Sequence, residues 1–233
     1  QGTSVFDRVT GLYAYSGIVT ALLQRKETGR GQRVETSLME SQVSFLVDAA
    51  MEYLIAGQLR EKWGSEHSQI VPYKVFSTTD GEVVIGAGYQ TVYEPFVRAI
   101  EREDLITDPR FATLAARVEN RNEMYRILDA EVMKYTNAEI IARLDKVGVP
   151  NAPVNNIAQV FNHPQLLHRR MLLSLDHPQY GVVPAIGSAV KYSGFDVEEG
   201  WRAPPLLNDG ADSVLEDWLG ISRSRQTARA TKF

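Results

Sequence analysis

Asp7, in the run Asp7-Arg8-Val9-Thr10-Gly11-Leu12-Tyr13, combines a carboxylate with the start of an amphipathic stretch and small residues behind it. Two readings follow. An Asp at or near an N-cap accepts hydrogen bonds from the free N–H groups of the first helical turn and is favoured by the helix dipole. The same position also suits an ionised nucleophile, with room for another chain or a ligand to come close. Taken alone, the local sequence favours the cap. Other chemistry is thinly represented. The chain has no cysteine, which excludes a thiolate nucleophile, a disulfide framework and the usual structural zinc site. None of the four histidines pairs at helical spacing, so no metal site is expected. His67 sits in a polar loop ahead of Ile70-Val71-Pro72-Tyr73, where it either orients a substrate carboxylate or is an ordinary hydrogen-bonded loop residue. His163, His168 and His177 lie beside Pro, Arg or Asp, as caps and turns do. Arg117, Asn120 and Arg121 form a helix-start network or a substrate clamp, the former being the simpler reading.

The elements that must hold these residues can be read from periodicity. Phe6 to Arg25 places Phe6, Val9, Leu12, Tyr13, Ile18, Val19, Leu22 and Leu23 on a broad helical face, and Tyr13 and Tyr15 read as core. Gly11 and Gly17 interrupt it at a cost of about 1 kcal/mol each against Ala, which points to close approach of backbone or ligand. Thr28-Gly29-Arg30-Gly31 ends the helix, and Gln32 to Ser37 alternates like a short strand. Ser37 with Glu40 forms a capping-box signature for a second helix from Leu38 to Ile55. Residues 57–72 are a polar loop. Tyr73 to Ser77 and Glu82 to Gly86 then read as strands joined through Asp80-Gly81, a hairpin-turn signal. Helices follow at Thr91 to Arg102, Glu119 to Tyr135 and Ala138 to Val147, with polar caps at Asn120 and Asn137. Beyond Pro150 and Pro153 come a short helix at Ile157 to Phe161, strand-like Leu172 to Leu175 and Val182 to Ala185, and a helix from Ala211 to Trp218.

With 233 residues and 44% hydrophobic content the chain can bury one core or two modest ones. The net charge of −4 argues against nucleic acid as partner, and no apolar run is long enough to cross a bilayer. Beginning at Gln1 and entering directly into a helix, the sequence reads as a piece of something longer, with any targeting segment upstream. Residues 221–233 carry four basic residues and no acid, a basic tail.

Taken in order, these segments resemble the family III CoA-transferases, the group that includes formyl-CoA:oxalate transferase and alpha-methylacyl-CoA racemase. The resemblance rests on Asp7-x-x-Thr10-Gly11, Lys26-Glu-Thr-Gly-Arg-Gly-Gln-Arg-Val34, Ile70-Val-Pro-Tyr-Lys-Val-Phe76 with Thr79-Asp-Gly81, and Asp108-Pro-Arg-Phe-Ala-Thr113. It continues through Arg117, Asn120-Arg121, Gly148-Val-Pro-Asn-Ala-Pro-Val-Asn-Asn156, His163-Pro-Gln165 and Ala203-Pro-Pro-Leu-Leu207. Trp63-Gly64-x-x-His67-x-x-Ile70-Val-Pro-Tyr73 is most similar to the branch that acts on succinyl-CoA and glutarate.

The resemblance implies an α/β fold in which helices of a large CoA-transferase domain stand at both ends and a small α+β domain is inserted. The expected divisions are 1–58 for the large-domain part with Asp7, 59–72 for a linker, 73–147 for the small domain and 148–220 for the returning segment. It further implies that Asp7 is the catalytic nucleophile and that an N-terminal half with most of the CoA site is missing. Two subunits are implied to interlock as a homodimer. Coenzyme A and its thioesters are implied as substrates, with a small carboxylic acid and with no permanently bound cofactor. Gln32 and Arg33 become candidates for CoA phosphates, against the simpler reading of a solvated turn. His67, Tyr73, Gly88 and Tyr89 become substrate candidates, although Tyr89 departs from the Gly-Asn that many relatives carry after the second strand. The bland reading of Gly86 and Gly88 is that they end a strand and turn. Two other functions stay open: a racemase of 2-methylacyl-CoA esters using the same aspartate for proton transfer, and a noncatalytic interaction protein. The resemblance points to a mitochondrial or cytoplasmic location.

Overall fold

The structure, a computed structural model, describes residues 2–207 and 209–220; the basic tail expected at 221–233 lies outside them. Helix α1 runs Val5–Thr28 and stops at Gly29, whose φ of 70° is the left-handed conformation that glycine adopts without a Cβ clash. Ser4 occupies the N-cap position, and Asp7 falls within the first turn. The Gln32 to Ser37 segment is extended but pairs with no strand among the described residues, so the expected strand is not formed. Ser37 does cap the next helix, α2 (Leu38–Ser44), with its Oγ accepting the Glu40 N–H at 3.2 Å and donating to the Glu40 carboxylate at 2.7 Å. The single helix expected to Ile55 is broken at Phe45–Leu46, where Phe45 packs edge-on against Phe6, and α3 (Val47–Ala56) starts afresh. Tyr13 and Tyr15 are not core: both are exposed, because no described segment covers that face of α1.

The core lies further along the chain. Strands β1 (Tyr73–Ser77), β2 (Glu82–Gly86) and β3 (Asn151–Pro153) form an antiparallel sheet in the order β1-β2-β3, with Phe76 opposite Val83 and Val84 opposite Ala152. Strand alternation sends Phe76, Val83 and Ile85 to one face. Helices α4 (Gln90–Ala99), α5 (Asp104–Thr107), α6 (Leu114–Glu119), α7 (Arg121–Val132) and α8 (Asn137–Lys146) surround that face, with Tyr93, Phe96, Leu105, Met124, Leu128, Ile140 and Leu144 from the helices and Phe111 from the α5–α6 loop in the core. The helix expected from Glu119 to Tyr135 is thus α7, with α6 ahead of it. The third strand escapes a pattern search because it is three residues long and contains Pro153, which an edge position tolerates. Thr136, rather than Asn137, caps α8, closing a capping box with Glu139. Asn137 instead ties α8 to the hairpin turn: its backbone N–H donates to Asp80 Oδ1 at 2.7 Å and its Oδ1 accepts from the Thr78 hydroxyl at 2.8 Å. Asn120 stands at the start of α7 without making a side-chain cap bond; its amide donates to the Ala116 carbonyl at 2.9 Å.

After β3 come α9 (Ile157–Phe161), α10 (Pro164–His168), the antiparallel pair β4 (Leu172–His177) and β5 (Gly181–Ile186), and α11 (Ala211–Leu219). His163 caps α10 through Nδ1, which accepts the Gln165 N–H at 3.2 Å, and His177 Nδ1 accepts the Gln179 and Tyr180 N–H groups at the β4–β5 turn. Among the described residues no helix is long and apolar enough to cross a membrane, and no cluster of acidic residues and histidines is arranged to hold a metal ion.

Candidate functional site

The residues of β1 and β2 that do not face the core open onto a cleft of about 460 Å³. Tyr73, Val84 and Gly86 share that outer face by alternation, Ala152 joins them from β3, and Ile70, Gly88, Tyr89 and Val92 close the sides. The lining contains no Asp, Glu, Lys, Arg or His. Its polar groups are neutral: the Tyr73 and Tyr89 phenols, Thr91 and Asn151. Such a surface can bind and orient an uncharged chain, and it has no group to act as nucleophile or as base near neutral pH.

Local constraints explain the shape. A Cβ on Gly86 would lie 3.7 Å from the Tyr73 ring, so the glycine keeps the floor low beside that aromatic wall. Gly88 is under a harder constraint. A Cβ there would come within 2.2 Å of Ile70 Cγ2 and 3.0 Å of the Val71 backbone nitrogen, so only glycine lets the chain after β2 touch the chain before β1. The bland reading of these glycines as a strand end and turn is therefore incomplete. Tyr73 is anchored by its N–H, which donates to the Tyr125 hydroxyl at 3.2 Å, and its ring stacks on His67 with centroids 5.8 Å apart. His67 Nδ1 accepts the N–H groups of Gln69 at 3.1 Å and Ile70 at 3.0 Å, which orders the loop that carries Ile70. His67 does not line the cleft.

The candidates fall into two groups. Tyr73, Gly88 and Tyr89 line the cleft, with His67 behind Tyr73. Asp7, Gln32 and Arg33 are absent from its lining. Asp7 is exposed and, among the described residues, accepts no hydrogen bond from a cap or a partner side chain, so its carboxylate is not spent on the helix start. Gln32 donates to Gln24 Oε1 at 2.7 Å and borders a separate hollow of about 320 Å³ with Ile18, Leu22 and Val34. Arg33 pairs with Glu35 in solvent, as a solvated turn would. Val84, Thr91, Val92 and Asn151 were not singled out by the sequence. For Val84 the alternation of β2 was a usable signal; Asn151 stands in the family-like Gly148–Asn156 run, but its place in the cleft depends on β3. Arg117 is neither a helix-start residue nor a clamp on an open site, since it is completely buried. Burial pushes its pKa down, and the neighbouring Tyr93 phenol opposes that shift.

The pattern for CoA-transferase family III matches residues 1–212. Succinyl-CoA:glutarate CoA-transferase of Mus musculus is 36% identical over 94% of this chain, and succinyl-CoA:mesaconate CoA-transferase of Haloarcula hispanica is 31% identical over 96%. A crystal structure of a CAIB/BAIF family protein from Brucella suis superposes with a TM-score of 0.80 at 30% identity, covering 93% of this chain and 56% of that one. The matched parts make up 50% and 56% of the two enzymes, so the chain spans about half the length of these relatives. A match across most of the chain in sequence, together with the same fold, establishes that this chain belongs to CoA-transferase family III.

Proposed function

We propose that this chain carries the nucleophile and the acyl-binding cleft of an enzyme that moves coenzyme A between carboxylic acids, dicarboxylic ones in particular. The observation that carries the reading is the Asp7 carboxylate: it stands exposed in the first turn of α1 with no structural partner among the described residues, within a stretch matched to the family. The relatives' names, which join succinyl-CoA to glutarate or mesaconate, support the substrate class.

The chemistry balances without metal, thiol or redox partner. An Asp7 oxygen attacks the thioester carbonyl, the C–S bond breaks, and a mixed anhydride forms as CoA leaves as thiolate. The thiolate attacks the Asp7 carbonyl and expels the donor acid, leaving an aspartyl-CoA thioester. The acceptor carboxylate then attacks that thioester and releases the thiolate again, which finally takes the acceptor acyl group and regenerates Asp7. Each step exchanges a thioester for an anhydride or the reverse, with thiolate and carboxylate alternating as leaving group, which divides the barrier. The N–H groups of the first turn of α1 can donate to the developing oxyanion. The cleft takes the uncharged part of the acyl group. Asp7 is not in the cleft lining, so a substrate reaching both would lie between two copies of the protein, as in an interlocked homodimer.

The test is mass spectrometry of the protein incubated with succinyl-CoA, with and without hydroxylamine. A CoA thioester or hydroxamate on Asp7 is expected, and Asp7→Asn should lose the adduct and reduce transfer by about three orders of magnitude or more. Exchange of an α-proton with deuterated water in the absence of any acceptor acid, with no adduct, would instead identify a racemase.

A further inference from the structure

Arg117 is fully buried yet, among the described residues, forms no ion pair. A guanidinium in that position is costly unless every donor finds an acceptor, and apolar residues of similar volume often serve a core as well or better. Its four hydrogen bonds are therefore informative. Nε donates to the Val71 carbonyl at 2.9 Å, Nη1 to the Phe111 carbonyl at 2.9 Å and to Gln90 Oε1 at 3.0 Å, and Nη2 to the Gly88 carbonyl at 2.6 Å. The guanidinium carbon sits 4.0 Å from the centroid of the Tyr93 ring. Val71 follows Ile70 on one side of the cleft, whereas Gly88 and Gln90 flank Tyr89 on the other.

Three more residues at four-residue intervals grip the same incoming chain. Arg121 donates to the His67 and Ser68 carbonyls, the Tyr125 hydroxyl accepts from the Tyr73 N–H, and Asp129 pairs with Lys74 at 2.8 Å. The four side chains, one from α6 and three from α7, converge on residues 67–74. Of the four, Arg117 is the one that also reaches across to the chain after β2.

We infer that Arg117 is a positioning residue for acyl transfer, fixing the separation of the Ile70–Tyr73 and Gly88–Tyr89 walls of the cleft. The inference rests on the cleft being where the acyl group lies. Lysine cannot replace the guanidinium, because a single ammonium lacks the planar fork that reaches three segments at once.

The experiment compares Arg117→Lys with Arg121→Lys in the intact protein, by amide hydrogen exchange and by steady-state transfer from succinyl-CoA to glutarate. The Ala87 N–H, which bonds across the walls to the Pro72 carbonyl at 2.9 Å, reports their separation. Arg117→Lys should speed Ala87 exchange and raise KM for the acceptor acid, each by about tenfold, with kcat within about threefold. Protection of Leu128 should not change, and Arg121→Lys should leave Ala87 exchange alone. Unchanged Ala87 exchange in Arg117→Lys overturns the inference at Arg117 itself. Faster exchange with unaltered KM, or an intact protein without transferase activity, overturns it through the reading of the cleft. If Arg117→Lys does not fold, Gly88→Ala takes its place: its Cβ wedges the walls apart and shifts the carbonyl that Nη2 donates to, so faster Ala87 exchange with a raised KM is expected, and an unchanged KM overturns the inference.

Discussion

Residues 5–56 and residues 71–149 have similar apolar content along their elements and opposite fates. In the second segment eighteen hydrophobic residues form one buried cluster. In the first, Ser41 is the single buried residue, and Leu12, Ile18, Leu22 and Leu23 on α1 are each at least half exposed. The apolar residues of α1 are spread more widely around the helix than those of α4 and α8, and the surfaces the two stretches meet differ as well. Helices of the second segment return to a sheet that takes their apolar faces, whereas among the described residues α1 packs chiefly on the short α2. An apolar face buries nothing without a partner surface, and the family match places this chain against about half of a relative's length.

That comparison can be broken most directly in the two cores. Phe96→Ala should cost about 3–5 kcal/mol in urea unfolding, since it leaves a cavity in a closed cluster, whereas Leu22→Ala in this chain should cost less than about 0.5 kcal/mol. Equal costs would mean that α1 is packed in solution. The next effect concerns two caps of the same type. Thr136→Ala should lower the stability of the 71–149 unit by about 1 kcal/mol, and Ser37→Ala, which removes an equally well formed bond, should leave the main unfolding transition in place and change only helix content. The smallest effect is one of pH. Burial pushes the Tyr93 phenol up to about 12 from 10.0, while its hydroxyl donates to the Leu105 carbonyl at 3.1 Å. The raised value means that the neutral form is favoured by folding. That contribution is complete below pH 10 and is lost as pH rises toward 12, so stability should fall across this window. Tyr93→Phe should flatten the fall, measured by urea midpoints between pH 9 and 12.

The cleft divides along a related line. Its floor was legible, because alternation along Val83-Val84-Ile85-Gly86 sends alternate residues to opposite faces and Asp80-Gly81 sets the register of the hairpin. Tyr73 stood in a segment whose resemblance to a family marked it out, whereas Gly88 and Tyr89 stood where the sequence departs from that family. The rest was hidden for physical reasons. Asn151 and Ala152 arrive by way of a three-residue edge strand containing proline, which leaves no period to detect. For His67 the sequence favours a loop histidine over a group that orients a carboxylate, and its Nδ1 holds two backbone N–H groups.

By itself the sequence determined the hairpin, the N-cap at Ser37 (without the full capping box), the glycine stop after α1 and the family. These depend on hydrogen bonds and steric limits within a few residues, or on ordered motifs. The Thr136 cap, closed by Glu139 three residues on, is equally local, whereas tertiary structure alone decided that Tyr13 and Tyr15 stay in solvent and that Arg117 is buried. The Arg117 guanidinium meets the Val71 carbonyl 46 residues away in the chain, and Phe111 and Gly88 from two further segments. Nothing local to Arg117 encodes that meeting, because its energy comes from acceptors that converge only after the sheet and α6–α7 have packed together.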